Sequence, residues 1–599
     1  MGDEASAYLG VAHSLCGRQW RESAGDERLS LALAQRLGLP EIVGRVLASR
    51  GIAIDEAPSF LAPRLRDLLP DPSLFKDMDR AAARIAGAIR DGAPIAIFGD
   101  YDVDGATSTA LLQRFIEAAG GRVVVYIPDR QREGYGPNLP ALLRLQKDGA
   151  ALVVTVDCGT TAHEPLAAAA ETGLDIVVVD HHVAEPKLPR AFAIVNPNRL
   201  DEAGGHGQLA AVGVAFLLAV AVNRVLRGAG WYGTRPGAHG EPDLMQWLDL
   251  VALGTICDVV PLTGLNRALV AQGLKVMQRR GNPGIAALAD VAGITERLGA
   301  YHSGFILGPR VNAGGRVGSA GLGAALLATA DAATAADLAR QLHGFNAERR
   351  EIEAVVLAAA IAQVERRNAP SPIVFATGVD WHPGVIGIVA SRLKERYNRP
   401  SCVVAVKDGI GKGSGRSVSG VALGDAIIAA RQEGLLVNGG GHAMAAGFTV
   451  EEGKIGALRD FLAARIEAAI GAEVPMPRLT IDGAIAPGAA SAELLALVER
   501  LAPFGAGNPE PRFALPAARI LFAEPVGGAH VRCTIGDAAG AGRLKAIAFR
   551  CLDNPLGAAL LDRGGALLHL AGHLRADNWN GRTGVQFCID DAAAAIPIP

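Results

Sequence analysis

The stretch IAIFGDYDVDG at residues 95–105 decides the class of fold, because a short apolar run ends abruptly in three alternating aspartates. An Ala- and Leu-rich segment with the composition of a helix follows at about residues 106–119. The same alternation continues with apolar, largely β-branched runs at residues 123–127, 152–156 and 176–179. Continuous apolar strands separated by helices are typical of a buried parallel sheet. The sequence therefore predicts an α/β domain over residues 76–325.

The rest of the chain divides into four further predicted segments at changes in composition. Residues 1–75 form an N-terminal extension that ends in Pro- and Asp-rich sequence. Residues 326–368 predict a long connecting helix with a charged face, and residues 369–472 a second, smaller α/β domain. Beyond the proline-containing VPMP, residues 473–599 contain short apolar runs broken by Gly, Asp and Asn, which favours a small β-barrel.

The amino-acid composition excludes some classes of function but does not identify one. The 599 residues carry a formal net charge of −3, so any polyanion must be held by local positive patches or bound cations. The seven cysteines are odd in number and lack CxxC spacing, which predicts reduced thiols and no disulfide framework. The N-terminus has no secretory pattern, and the longest apolar run, 209–222, is too short to span a bilayer. We expect a cytoplasmic monomer with no membrane attachment.

The three aspartates of the opening stretch are candidate metal ligands. Ligands of open α/β sheets bind at the carboxyl ends of the strands, where Asp100, Asp102 and Asp104 would lie at nearly the same depth. Clustered carboxylates raise each other's pKa unless a cation neutralises them, and hard oxygen ligands suit Mg²⁺ or Mn²⁺. The alternative is a polar turn in which one aspartate caps the next helix.

Other acidic residues and histidines follow the later apolar runs. The third run ends at Asp157 and the fourth at Asp180, which His181 and His182 follow, while Asp258 lies in another apolar segment. Each of them alone is explained by a helix cap or an ion pair. Together they match a two-metal hydrolase, in which paired ions activate water and stabilise the leaving oxygen.

These residues resemble the four motifs of the DHH phosphoesterase family, whose name comes from the triplet at 180–182. The motifs occur in order at residues 100–105, 156–159, 180–182 and 254–261. The resemblance implies a binuclear site for Mn²⁺ or Mg²⁺ in which one aspartate, Asp157, bridges both ions. By position, the implied metal ligands are Asp102, Asp104, Asp157, His181 and Asp258.

The resemblance also implies roles for the neighbours of these ligands. Asp100 and Asp180 would support the ligands, and Asp100 and Asp157 would belong to the catalytic group. His182 would lie near the scissile phosphate as a hydrogen-bond donor or proton relay. Some relatives have a histidine at the position of Phe98. Its absence favours the exonuclease branch over the soluble pyrophosphatases.

Glycine-rich basic stretches at residues 130–136, 309–316 and 411–417, with NGGGH at 438–442, are candidate phosphate sites. Glycine lets backbone N–H groups approach an anion, and arginine grips phosphate bidentately. The alternative for each is a flexible surface turn. Residues 369–472 resemble the DHHA1 domain, whose signature is GGGH at 439–442. That resemblance implies a cleft that holds nucleic acid through Arg132, Ser414 and Arg416 at the 5′-terminal phosphate, Arg310, Asn312 and Arg316 nearby, and His382 and His442 in its lining.

The C-terminal region resembles the OB-fold domain of the exonuclease branch, with Trp579 and Phe587 as either base-stacking or core residues.

The branch implies a metal-dependent 5′-to-3′ exonuclease that degrades single-stranded DNA to 5′-mononucleotides in recombination and DNA repair. Single-strand-binding protein and a helicase would be its partners. The alternatives are a DHH–DHHA1 phosphodiesterase acting on oligoribonucleotides or cyclic dinucleotides, a non-catalytic DNA-binding scaffold and, less favoured, a pyrophosphatase. The extra C-terminal β region and the complete ligand set favour the exonuclease.

Overall fold

A computed structural model of the protein describes residues 7–130, 132–233, 240–367, 371–470, 476–562, 565–577 and 584–595. The chain forms two compact units. The smaller unit comprises Met1–Asp67, Pro261–Gly264 and Met476–Pro599, and the larger unit comprises Leu68–Val260 and Leu265–Pro475.

The helices and strands follow one another along the chain as two α/β alternations framed by the elements of the smaller unit. The N-terminal elements are β1 (Gln19–Glu22), α1 (Glu27–Leu37), α2 (Glu41–Ser49), α3 (Ala57–Leu61) and α4 (Leu65–Leu68). The first α/β domain contains α5 (Met78–Arg90), β2 (Pro94–Gly99), α6 (Val103–Ala118), β3 (Arg122–Tyr126), α7 (Leu139–Lys147), β4 (Leu152–Val156), α8 (His163–Glu171), β5 (Asp175–Val179), β6 (Ala193–Val195), α9 (Ala211–Gly228), α10 (Leu248–Cys257), α11 (Gly264–Met277), α12 (Pro283–Val291), the π-helix His302–Leu307, α13 (Gly308–Val317) and α14 (Leu322–Ala328). The second contains α15 (Ala332–Arg367), β7 (Val374–Val379), α16 (Ile386–Tyr397), β8 (Ser401–Lys407), β9 (Ile410–Arg416), α17 (Leu423–Gln432), β10 (Asn438–His442), β11 (Ala445–Glu451) and α18 (Ile455–Ile470). The C-terminal elements are β12 (Arg478–Ile481), β13 (Gly483–Ala484), α19 (Ala492–Glu499), β14 (Phe513–Val526), β15 (His530–Gly536), β16 (Leu544–Ala548), α20 (Pro555–Leu561), β17 (Leu567–Asp577) and β18 (Gly584–Ala594).

The first domain is built on a parallel sheet with strand order β3-β2-β4-β5-β6, which confirms the predicted α/β class. Strands β2, β4 and β5 are neighbours and are almost entirely buried, as their continuous apolar sequences require. Because parallel neighbours end at the same edge, the residues that follow these three strands come together there. The short strand β6 was not predicted, since three residues leave too little pattern.

The predicted buried helix at 209–222 is α9, which packs against α5, α6 and α10. By length and composition this is the one helix, among the residues that the structure describes, that is apolar enough to cross a membrane. Its most apolar stretch is 72% buried inside the protein, as in the core helix of a folded domain. The N–H groups of its first two residues bond to a carboxylate at the sheet edge where β2, β4 and β5 end.

The second domain has a mixed sheet of order β10-β11-β9-β8-β7, preceded by the 36-residue α15. The prediction of a glycine-rich turn at residues 309–316 is wrong, because these residues belong to helix α13. The alternative of a flexible surface turn at 411–417 is also wrong, because residues 410–416 form strand β9. The glycines are there for close packing. A Cβ atom on Gly413 would lie 2.1 Å from the ring of Phe448, and one on Gly315 would lie 2.9 Å from the carbonyl oxygen of Tyr101.

The smaller unit contains the predicted barrel. Its sheet has the order β13-β14-β15-β16-β18-β17, and pairing of β14 with β17 closes it. Residues of α1–α3, such as Leu47 and Phe60, share one hydrophobic core with Phe513 of the barrel, and β1 pairs in parallel with β12. Phe587 is fully buried in that core, so it is a packing residue, whereas Trp579 lies outside the described residues.

Candidate metal and phosphate site

Three aspartates meet at the carboxyl edge of the parallel sheet. Asp100, Asp157 and Asp180 directly follow β2, β4 and β5, and all three are buried. Asp102 is the N-cap of α6, where its carboxylate accepts a hydrogen bond from the N–H of Gly105 at 3.0 Å. The turn between β2 and α6 therefore brings two further carboxylates, Asp102 and Asp104, to the same edge.

Asp104 is held by the N-terminus of α9. Its two carboxylate oxygens accept hydrogen bonds from the N–H groups of Ala211 at 2.7 Å and Val212 at 2.9 Å. A helix N-terminus favours a negative charge, which opposes the cost of burying this carboxylate. Burial and the nearby Asp258 carboxylate still raise the pKa of Asp104 to about 7. A charge that is this costly to bury indicates a cation partner.

Asp157 lies in a strained turn. Its φ of +61° is in the left-handed region, which is unfavourable for a residue with a Cβ atom. Gly159 follows with φ of +115°, and a Cβ atom there would lie 2.8 Å from Thr155 Oγ1. The hydroxyl of Tyr135 donates to the Asp157 carbonyl oxygen at 2.9 Å. Burial, and then the charge of Asp102, raise the pKa of Asp157 well above its usual value.

The tautomer of His181 is set by its surroundings. Its Nδ1–H donates to the carbonyl oxygen of Leu209 at 3.1 Å, so the neutral imidazole presents an unprotonated Nε2. That nitrogen faces three carboxylate oxygens, at 3.3 Å from Asp157 Oδ1, 3.6 Å from Asp258 Oδ2 and 3.9 Å from Asp104 Oδ2. One imidazole nitrogen and three carboxylate oxygens that converge in this way are a donor set suited to a divalent cation.

Four polar side-chain atoms at this edge are buried and have no hydrogen-bond partner among the described residues: Asp100 Oδ1, Asp157 Oδ1, His181 Nε2 and Asp258 Oδ2. Buried polar atoms without partners are costly in a folded protein, and a bound ion satisfies them. Three groups have ligand atoms within 4.8 Å of one another: Asp157–His181–His182, Asp104–His181–Asp258 and Asp100–Asp102–Asp157. Carboxylate oxygens with one or two imidazoles suit Mn²⁺ or Mg²⁺, so the residues present fit a pair of such ions.

All five implied ligands fall within these groups. Asp157 and His181 each belong to two of the three groups. The groups also include Asp100 and His182, which the resemblance gives other roles, so the assignment of roles stays a prediction.

Asp180 acts on the site through His182. Its carboxylate accepts hydrogen bonds from the N–H of Thr160 at 3.0 Å and from His182 Nδ1 at 2.8 Å. Burial raises the pKa of Asp180, but the hydrogen bond and charge of His182, together with hydrogen bonds from Thr160, lower the pKa below its usual value. Burial likewise opposes the charged form of His182, but Asp180 outweighs it and raises the pKa of His182 to about 9. The hydrogen bond to Asp180 occupies Nδ1 and leaves Nε2 of His182 free of that contact.

Arg130, Arg316 and Arg416 come from distant parts of the chain, but the charge of Arg130 affects the other two. Arg316 of α13 donates to the carbonyl oxygen of Gly384 at 3.0 Å, and burial followed by the charge of Arg130 lowers its pKa to about 10. Burial and Arg130 also lower the pKa of Arg416 on β9. The guanidinium of Arg130 lies 4.8 Å from the ring centre of Tyr101. Guanidinium groups that repel one another favour an anion between them, and phosphate matches their geometry.

The other predicted contacts are placed as follows. Arg310 donates to the carbonyl oxygen of Ile306 at 2.7 Å on the helical segment that carries Arg316, and Asn312 is half-buried between them. Ser414 Oγ accepts from Arg416 at 3.2 Å, and His382 Nδ1 accepts from the Gly384 N–H at 3.1 Å. Arg132 and His442 are exposed, and their roles stay predictions.

Sequence reasoning missed several residues of the site. Arg130 and Tyr135 lie in the quoted loop at 130–136, but nothing in the pattern marked them above Arg132. Thr160, the residue directly after the second motif, and the N-terminus of α9 support Asp180 and Asp104 only because of the tertiary fold.

Comparison with known proteins agrees with this arrangement. Sequence models match the DHH family N-terminal domain at residues 94–255, the DHHA1 domain at 371–468 and the RecJ OB domain at 481–591. The fold and the site thus define a metal-dependent phosphoesterase with DHH and DHHA1 domains. A single-stranded-DNA-specific exonuclease RecJ from Dickeya dadantii is 38% identical over 562 residues, covering 92% of this chain and 96% of the relative. The chain belongs to the RecJ family.

Two further relatives extend the likeness. The RecJ of Escherichia coli, also described as a single-stranded-DNA-specific exonuclease, is 36% identical over 563 residues, which cover 92% of this chain and 96% of the relative. The crystal structure of Thermus thermophilus RecJ in complex with Mn²⁺ has a TM-score of 0.80 at 30% identity, covering 96% of this chain and 80% of that one. The same protein was also solved with Mg²⁺.

Proposed function

We propose that the protein is a two-metal exonuclease that hydrolyses single-stranded DNA from its 5′ end and releases 5′-mononucleotides. The observation that carries this proposal is the set of four unpartnered, buried polar atoms at the edge of the parallel sheet, three of which belong to proposed metal ligands. Its relatives are single-stranded-DNA-specific exonucleases, and a solved relative contains Mn²⁺ or Mg²⁺.

In this proposal the ions are held by five side chains: Asp102, Asp104, Asp157, His181 and Asp258. Asp157 would be the ligand that both ions share. When bound, divalent cations would lower the pKa of an attacking water molecule and stabilise negative charge on the phosphate. The contacts of Asp104 with α9 and of His181 with Leu209 fix their ligand atoms before any ion arrives, so little reorganisation is required.

His182 is the proton donor. Its Nδ1 is engaged by Asp180 at 2.8 Å and lies 3.2 Å from the Tyr135 hydroxyl oxygen, which orients the ring. The Nε2–H then donates to a phosphate oxygen and helps the 3′-oxygen of the released nucleotide to leave. Asp100 supports the adjoining ligand loop from its buried position after β2.

The 5′ end is recognised by the arginine cluster Arg130, Arg316 and Arg416, together with Ser414 and the predicted Arg132. A 5′-terminal phosphate carries more negative charge than an internal phosphodiester, so it benefits more from several guanidinium groups. Contacts to phosphate carry no base information, so we expect little sequence preference and a strong dependence on salt.

The first and second α/β domains both contribute to this cluster, since Arg316 lies on α13 and Arg416 on β9. A channel between them that admits one strand but not a duplex would explain single-strand specificity. The barrel of the smaller unit has exposed aromatic side chains, Phe522 and Phe549, that suit unpaired bases. Single-strand-binding protein and a helicase as partners, a monomeric state, a cytoplasmic location and a role in recombination and repair complete the proposal.

The test is a time course on a 3′-labelled single-stranded oligonucleotide with Mn²⁺, Mg²⁺ or EDTA, beside matched duplex and RNA. We expect stepwise shortening from the 5′ end that needs the metal and spares blunt duplex. The Asp157→Asn variant serves as the inactive control. Turnover of short RNA or a cyclic dinucleotide without cleavage of DNA would move the protein to the phosphodiesterases, and DNA binding without any turnover would make it a scaffold.

A further inference from the structure

Two aromatic side chains lie stacked in solvent just before α13. Tyr301 and Phe305 are 60% and 73% exposed, and Phe305 is the most exposed large apolar side chain among the described residues. Their ring centroids are 5.3 Å apart with an interplanar angle of 28°. Single exposed apolar residues are common in soluble proteins, but a stacked and exposed aromatic pair indicates a binding surface.

The segment that carries the pair packs on the end of α10, next to Asp258. The Sγ of Cys257, the residue before Asp258, lies 3.4 Å from the Ser303 carbonyl oxygen, and a Cβ atom on Gly304 would lie 3.4 Å from Ile256. The π-helix His302–Leu307 therefore packs on the last turn of α10. The helical segment that carries the aromatic pair thus contacts Cys257, the neighbour of the proposed metal ligand Asp258.

The segment that carries the pair is held firmly. His302 Nδ1 accepts a hydrogen bond from the Gly299 N–H at 3.1 Å, so its Nε2–H donates to Glu296 at 2.9 Å. The buried Ser303 donates to the Gly299 carbonyl oxygen at 3.2 Å. π-Helices occur frequently at functional sites. The exposure of the two rings is thus a fixed property of this surface.

The same helical segment leads to the proposed phosphate contacts. The π-helix continues into α13, where Arg310 bonds back to Ile306 and Arg316 joins the arginine cluster. At about 1.5 Å per residue, Phe305 and Arg316 are roughly 16 Å apart along the axis. A strand whose backbone runs along these arginines has its bases within reach of the aromatic pair after a few nucleotides.

We propose that Tyr301 and Phe305 form a stacking platform for a base of the single-stranded DNA substrate. The inference rests on the proposed function and adds a second source of single-strand specificity. An unpaired base can be turned so that its face lies on a ring, whereas a base in a duplex is stacked between its neighbours. Each base–aromatic stack changes affinity by about 5- to 140-fold.

The test uses Phe305→Ala and Tyr301→Ala with a set of 3′-labelled oligonucleotides, each with one abasic site at a successive position from the 5′ end. For the unaltered protein we expect one or two abasic positions to raise KM about tenfold with little change in kcat. Phe305→Ala should raise KM for the intact oligonucleotide by a similar factor, and the abasic site at that position should then have no further effect. Phe305→Trp should restore the low KM.

Matched controls distinguish loss of the aromatic platform from misfolding of a variant and from failure of the proposed exonuclease function. Leu74→Ala removes another exposed apolar side chain and should leave KM unchanged. A 5′-phosphorylated dinucleotide, which is too short to reach the platform, should be cleaved equally by Phe305→Ala and the unaltered protein. A KM for Phe305→Ala within twofold of the unaltered protein, or abasic effects that simply add to the substitution, would overturn the platform. Failure of the unaltered protein to cleave single-stranded DNA would overturn the proposed function as well.

Discussion

Asp249 offers a direct test of the electrostatics of the first α/β domain. It lies in the first turn of α10 and is 1% exposed, and its carboxylate accepts the Leu250 N–H at 2.8 Å. Burial raises its pKa from 3.8 to about 6, against the opposing effects of Leu250 and Arg114. A shift of about two pKa units corresponds to about 3 kcal/mol that the ionised carboxylate costs the folded state.

The direction of the pH effect follows from that shift. Because the folded-state pKa is raised, the native state binds the proton more tightly than the unfolded chain does. The stabilisation of the folded state by the neutral Asp249 carboxyl group is fully present below about pH 4. It is lost as the pH rises through about 6. Asp249→Asn removes this titration. The variant should be more stable than the unaltered protein by up to about 3 kcal/mol at pH 8 and by about half of that at pH 5.

The measurement is urea unfolding followed by circular dichroism at pH 5 and pH 8, with EDTA present throughout. Asp148→Asn changes an exposed carboxylate in the same domain and should alter the free energy of unfolding by less than about 0.5 kcal/mol at either pH. If Asp249→Asn is no more stable at pH 8, or if its advantage does not grow between pH 5 and pH 8, the burial argument is refuted.

The remaining predictions concern the site. Asp157→Asn should weaken Mn²⁺ binding by at least about 100-fold in calorimetry and abolish the rise in Tm that Mn²⁺ gives the unaltered protein; an unchanged Tm response would contradict the bridging role. His182→Gln should lower kcat by about 10²- to 10⁴-fold while Mn²⁺ affinity changes little; loss of metal binding would make His182 a ligand instead. Arg316→Ala and Arg416→Ala should each raise KM for 5′-phosphorylated DNA more than for 5′-hydroxyl DNA, and should reduce the salt dependence of KM. Equal effects on both substrates would place the two arginines on the internal backbone.

The sequence was most informative where a pattern repeats along the chain. The apolar runs located β2, β4 and β5 to within one or two residues, and a parallel sheet brings their C-terminal aspartates to one edge. That convergence could be predicted because it depends only on strand direction and on neighbouring order. The family motifs then supplied the function, which composition could not, since a net charge of −3 gives no sign of a DNA-binding protein.

What the sequence could not supply depends on contacts across the fold. The carboxylate of Asp104 is bound by backbone N–H groups 107 and 108 positions away, and no side-chain pattern marks such donors. Likewise, the Leu209 carbonyl oxygen fixes the tautomer of His181. The glycines at 411, 413 and 415 were misread because glycine usually weakens a strand. Here neighbouring side chains such as Phe448 fill the space that a Cβ atom would need.

The proposed site also explains how a near-neutral protein can act on a polyanion. Cations at the sheet edge would reverse the charge of the buried aspartates, and the proposed phosphate contacts of Arg130, Arg316 and Arg416 would add positive charge. Neither the cations nor the arginines would contact a base, so phosphate contacts alone would accept a duplex as readily as a single strand. Discrimination therefore has to come from features that need an unpaired base or a narrow passage. The exposed rings of Tyr301 and Phe305 meet the first requirement, which is why the abasic series, more than any substitution of an arginine, tests how the protein selects single-stranded DNA.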